Sequence, residues 1–80
     1  MKLLLGNLDP DTTDDQLREL LAKYTNIEWT AIQRVPGDGS RPGALLEFAN
    51  ADFTAVYKAQ ARLHGMFWNN RKLYVQVMRD

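Results

Sequence analysis

Apolar residues fall in short runs whose spacing changes along the chain, and the changes mark out the elements. Met1 to Leu8 is an apolar run closed by Gly6 and Asn7, and its length before a turn cluster predicts a first strand. Asp9-Pro10-Asp11-Thr12 reads as a turn. Thr13 and Gln16 then stand three apart, the spacing of a capping box in which hydroxyl and amide each satisfy an orphan backbone donor, so a helix begins there. Behind that cap, Leu17, Leu20, Leu21 and Tyr24 recur at helical spacing, while acids in the first turn complement the positive end of the dipole. Asn26 to Arg34 is β-rich through Ile27, Trp29, Thr30 and Ile32 without strict alternation, which predicts a second strand irregular near its start. Val35 to Pro42 breaks it, because the stretch from Pro36 to Pro42 holds two prolines and two glycines, the composition of an exposed hairpin connection.

Gly43 to Ala49 is the third predicted strand, with Ala44, Leu46 and Phe48 on one face. Asn50 is a cap for a second helix that presents Phe53, Val56, Ala59 and Leu63 and ends near His64-Gly65. Asn69-Asn70 is a turn, since asparagine tolerates a positive φ, and Arg71 to Met78 alternates Leu73, Val75 and Val77 inward with Tyr74, Gln76 and Met78 outward. The order β-α-β-β-α-β predicts an α+β, ferredoxin-like sandwich: a four-stranded antiparallel sheet with both helices on one face and the other face open. By strand parity the open face carries Lys2 and Leu4, Ala31 and Gln33, Leu45 and Glu47, Tyr74 and Gln76, and Trp29 shares the parity of Ala31.

Composition narrows the function. Eighty residues are expected to form a single domain spanning 1–80, and the absence of cysteine excludes disulfide staples and thiolate metal sites. The longest uninterrupted apolar run is three residues, Leu3 to Leu5, so neither a signal peptide nor a membrane span is expected, and the chain reads as cytoplasmic, or nuclear in a eukaryote. Ten basic and ten acidic side chains cancel, so no global field draws a polyanion. The halves differ, however: residues 1–40 carry a net −3 and residues 41–80 a net +3, so an anion-binding surface should draw mostly on the C-terminal half. No catalytic constellation can be assembled. His64, the one histidine, lies at a helix end and is expected to be a satisfied loop residue; the aspartates from Asp9 to Asp15 lack the glycine and distal glutamate of a calcium loop; Pro36-Gly37-Asp38-Gly39 lacks the lysine of a phosphate loop. The expectation is a non-enzyme without metal, cofactor or small-molecule substrate.

Over essentially its whole length the sequence resembles an RNA recognition motif. Leu3-Leu4-Leu5-Gly6-Asn7-Leu8 is similar to the family's strand-1 hexamer with Leu4 at its aromatic position, and Arg41-Pro42-Gly43-Ala44-Leu45-Leu46-Glu47-Phe48 lies where its octamer belongs. There Arg41, Ala44, Leu46 and Phe48 agree, while Gly43 and Leu45 replace the two aromatics and Pro42 a glycine. Leu63-His64-Gly65 and Asn70-Arg71-Lys72-Leu73-Tyr74-Val75 resemble the segments closing helix 2 and entering the last strand. The agreeing positions face the core; the departing ones, Leu4, Gly43 and Leu45, are the family's stacking platform. Stacking is worth about 1 to 3 kcal/mol per base, so the resemblance implies weak binding of single-stranded RNA. Strand parity and the resemblance together place the RNA contacts at Lys2, Leu4, Arg41, Gly43, Leu45, Lys72, Tyr74 and Gln76, with Trp29, Gln33, Arg71 and Arg79 as further candidates, and parity gives Tyr74 as the substitute aromatic. The alternative is a protein partner or self-association through the apolar face, or peptide recognition by a branch of the family that uses an acidic helix 1 and an Arg-x-Phe motif. Asp15, Glu19, Phe67 and Trp68 would serve that role, with Met66 standing where the arginine is required.

Overall fold

The computed structural model describes residues 1–78. Strand β1 (Lys2–Gly6) is followed by helix α1 (Asp14–Tyr24), strands β2 (Ala31–Val35) and β3 (Gly43–Glu47), helix α2 (Phe53–Leu63), a short hairpin of β4 (Phe67–Trp68) and β5 (Arg71–Lys72), and strand β6 (Tyr74–Met78). β2, β3, β1 and β6 form one antiparallel sheet in that order, as the β-α-β-β-α-β pattern requires. Leu3, Leu5, Ala44, Leu46 and Val75 on one side of the sheet join Leu17, Leu20, Leu21, Val56, Ala59 and Leu63 of the helices in one buried core. Both helices therefore cover the same face.

Local chemistry accounts for the element boundaries. The Thr13–Gln16 capping box forms in both directions, each bond 3.1 Å long, and starts α1 where the sequence placed it. Helix α2 starts later than expected: its cap is Asp52, whose carboxylate accepts the Thr54 N–H at 3.3 Å, rather than Asn50. Phe53, expected in the core, is instead the first residue of the helix and 51% exposed, its ring tilted 48° to that of Tyr57 with centroids 4.9 Å apart.

Strand β2 begins at Ala31 rather than Asn26. The apolar residues before it anchor a loop: Ile27 turns into the core, and Trp29 is half-buried with the Arg18 guanidinium 4.9 Å above its ring. Val35, expected to lie beyond the strand in the stretch that breaks it, still pairs with Gly43 and is the last residue of β2. The last predicted strand is split in two. Asn69 and Asn70, at φ 50° and 65°, make the tight turn that pairs Phe67 with Lys72 and Trp68 with Arg71, and only from Tyr74 does the chain join the main sheet.

Candidate nucleic-acid interface

Three rows of side chains cross the uncovered face of the sheet. Register places Ala31, Glu47, Lys2 and Met78 in the first, and Gln33, Leu45, Leu4 and Gln76 in the second. The third runs from Val35 beside Gly43 to Gly6 beside Tyr74. Leu4 and Leu45 are directly opposed and half-buried by their neighbours, while the glutamines at either end of their row are exposed. An apolar centre bounded by amides results, and no element of the described chain lies over it.

Two glycines form the floor of the third row. A methyl group on Gly43 would come within 2.7 Å of the Leu5 carbonyl oxygen, so β1 and β3 approach too closely there for any side chain. Gly43 is moreover buried, so this expected contact offers a ligand no accessible surface of its own. At Gly6 a methyl group would sit 3.7 Å from Cβ and Cδ1 of Tyr74, which places the tyrosine ring along the backbone of β1. Tyr74 is 53% exposed, and the His64 ring meets it edge-on with centroids 5.3 Å apart. Sequence parity found Tyr74 but not its supports, since nothing in the spacing of His64 or Gly6 points at residue 74.

The candidate cations divide. Arg41 is exposed in the β2–β3 loop with no side-chain partner among the described residues. That loop is shaped by Asp38, whose carboxylate accepts both the hydroxyl and the amide of Ser40 at 2.8 and 2.9 Å; these bonds hold its pKa below the ordinary carboxylate value. The bonds are thus in place at neutral pH and weaken only as pH falls through that lowered value. Lys2 lies opposite Glu47 and Met78 at the first row. Lys72 is exposed on the hairpin beside the Gly6–Tyr74 end, where its carbonyl accepts from the Asn7 amide at 2.9 Å. Arg71, by contrast, is spent on architecture: its guanidinium donates to the carbonyls of Leu8 at 3.0 Å and Ser40 at 2.5 Å, tying two loops together. Arg79 lies outside the described residues.

Trp29 does not reach the open face, because the loop that carries it turns its ring toward α1 and the core. Phe67 and Trp68 alternate across their hairpin: Phe67 is 73% exposed, and Trp68 packs against the core. The hairpin turn approaches α1 at Gln16, 3.5 Å from the Asn69 amide, while Asp15 on the exposed side of that helix pairs with Arg18 at 3.6 Å and Glu19 is exposed. His64 accepts the Val75 N–H at Nδ1, 3.0 Å away, and so has a structural partner. Among the described residues no cluster of histidine and carboxylate side chains has the geometry to hold a metal, and no helix is long and apolar enough to cross a membrane.

Comparison with known proteins agrees with this fold. A family model described as the RNA recognition motif matches residues 3–74. Over 75 residues the chain is 25% identical to polyadenylate-binding protein 2 of Arabidopsis thaliana, an alignment that takes in 94% of this chain and 12% of the relative's length. The Pes4 RRM3 structure superposes with a TM-score of 0.78 at 20% identity, covering 99% of this chain and 92% of the other. The structure of the Rna15 RRM with bound RNA (GU) gives 0.73 at 20% identity, with 99% and 83% covered. At such identities the two structures establish the shared fold.

Proposed function

We propose, from the premise that this chain belongs to the RNA recognition motif family, that its uncovered sheet face binds single-stranded RNA with low intrinsic affinity. The observation that carries the reading is the meeting of Leu4, Leu45 and Tyr74 on one face that no helix or loop of the described chain covers. A domain this small has little apolar area to leave in water without a use. The Rna15 RRM, which shares the fold, has RNA bound.

In this reading Tyr74 stacks on one base, and Leu4 and Leu45 give a second base an apolar floor without a π-face. Gln33 and Gln76 flank that floor, and each amide offers both a donor and an acceptor to base edges. Arg41 and Lys72, with Lys2 at the far row, meet phosphates. One aromatic in place of a platform of several makes for weak affinity, since each stacked base contributes about 1 to 3 kcal/mol. This is a binding module and not an enzyme; its compartment, in this proposal, is the cytoplasm, or the nucleus of a eukaryotic cell.

Amide shifts of labelled protein, titrated with a random pool of single-stranded RNA at low and moderate salt, test the proposal. Shifts at Leu4, Leu45 and Tyr74 that fade with salt support it. Tyr74→Ala should weaken binding by about fivefold to 150-fold if the ring stacks on a base. Silence across the face, or self-association through it, would remove RNA as the ligand and leave the protein-interaction reading.

A further inference from the structure

Helix α2 meets the outer edge of β6 along a single stripe. Phe53, Tyr57, Gln60 and His64 follow one another at spacings of four, three and four, one line down the helix. The two C-terminal members close the edge of the sheet: Gln60 Oε1 accepts the Val77 N–H at 2.8 Å, and His64 Nδ1 accepts the Val75 N–H at 3.0 Å. Four helical residues rise about 6 Å and two strand residues about 6.6 to 6.8 Å. The near match lets two side chains one turn apart serve two amides that point the same way.

His64 does more than Gln60. The amide it holds belongs to the residue after Tyr74, and its ring also meets the Tyr74 ring edge-on, with planes 72° apart. To accept at Nδ1 the imidazole must be neutral with its proton on Nε2, so the hydrogen bond fixes the tautomer and the ring orientation together. Against the tyrosine's other flank lies the backbone of Gly6. A half-exposed tyrosine on an edge strand would otherwise exchange rotamers freely in water.

We propose that His64 is a positioning residue for RNA recognition, holding the Tyr74 ring in the orientation on which a base stacks. The inference rests on the sheet-face reading above and deepens it by assigning part of the site to the end of α2. Its physical content is preorganisation: a ring already ordered in the free protein need not be ordered on binding, which corresponds to about twofold to tenfold in affinity. The aromatic on β6 can thereby compensate in part for the missing platform on β1 and β3.

The experiment is a double-mutant cycle read by RNA affinity, using a random pool of single-stranded RNA, and by urea stability. His64→Gln removes the ring but keeps an oxygen that can accept the Val75 N–H. It should bind about twofold to tenfold more weakly than the unmodified chain while losing less stability than His64→Ala, which removes both contacts. Added to Tyr74→Ala, the same change should cost no further affinity. If His64→Gln binds as tightly as the unmodified chain, or weakens the Tyr74→Ala protein by the same factor, His64 does not act through Tyr74 and the inference is overturned. If Tyr74→Ala itself binds normally, it is the sheet-face reading that fails, and the two failures are told apart by that one variant.

Discussion

Gly43 shows at the scale of one residue why one of the three platform positions carries no side chain. The octamer of the family carries an aromatic there, and the sequence alone shows only a substitution. The reason is spatial: the Leu5 carbonyl oxygen occupies the volume that any β-carbon would take, 2.7 Å from it. Because the clash is with backbone, it cannot be relieved by turning a side chain. Gly43→Ala should lower stability by about 1 to 3 kcal/mol, the usual cost of forcing extra atoms into a packed site, measured as a shift of the urea midpoint. Gly43→Phe should fail to strengthen RNA binding despite restoring the family's residue type. An unchanged midpoint for the alanine variant would mean that β1 and β3 have slack, and the face could then be rebuilt. Residue-level reading from sequence succeeded where a side chain belonged to a regular strand, as with Leu4, Leu45 and Tyr74, whose sides follow from parity. It failed for Trp29, which precedes β2 and has no strand parity to follow; its partner Arg18 sits on a helix 11 positions away in sequence.

At the scale of elements, the two edges of the sheet are treated differently. β6 is sealed by Gln60 and His64, whereas β2 at the opposite edge is exposed along its length except at Ile32. Inward on β2, Arg34 ties the strand to the start of α1 through Asp14 at 2.8 Å and the Thr12 carbonyl at 2.9 Å, a charged anchor of the kind that discourages edge-to-edge pairing. Removing one seal should therefore matter. Gln60→Ala leaves the partly buried Val77 N–H without its acceptor and should cost about 1 to 3 kcal/mol, with faster hydrogen exchange at Val77 while Val75, still held by His64, stays protected. Equal exchange at both amides before and after the change would show that the side chains only accompany the edge. Elements with caps and periodicity were legible beforehand: both directions of the Thr13–Gln16 box and the buried stripe Val56, Ala59, Leu63 form as the spacing dictates. The start of α2 was misplaced because Asn50 and Asp52 are both good caps and only geometry chooses between them. Two-residue strands carry no periodicity, so of the β4–β5 hairpin only the Asn69-Asn70 turn is legible in the sequence.

The net charge is zero, yet the fold sorts the cations onto two sides. On the helical side Arg18 lies over Trp29, and Lys23 and Arg62 approach the Tyr24 ring at 5.4 and 5.3 Å. Arg71 and Arg34 are engaged with backbone carbonyls of neighbouring loops. Among the described residues, Arg41 is exposed in the loop before Gly43, Lys2 lies in the first row of the uncovered face opposite Glu47, and Lys72 is exposed on the β4–β5 hairpin with its Cε near Gly65. A strand of RNA on that face can thus meet about three phosphate partners, and each contact with a single strand contributes about 0.7 to the slope of log K against log salt. The expected slope is about −2, shallow for a nucleic-acid binder. Arg41→Gln should reduce its magnitude by about 0.7 and weaken all RNA sequences alike, because a phosphate contact carries no sequence information. Affinity measured from low to moderate salt for the two proteins decides it. A slope near zero would mean that Tyr74, Leu4 and Leu45 bind without the rim, and one far steeper than −2 would require the strand to wrap onto the helical side, where Lys23, Lys58 and Arg62 are the cations within reach.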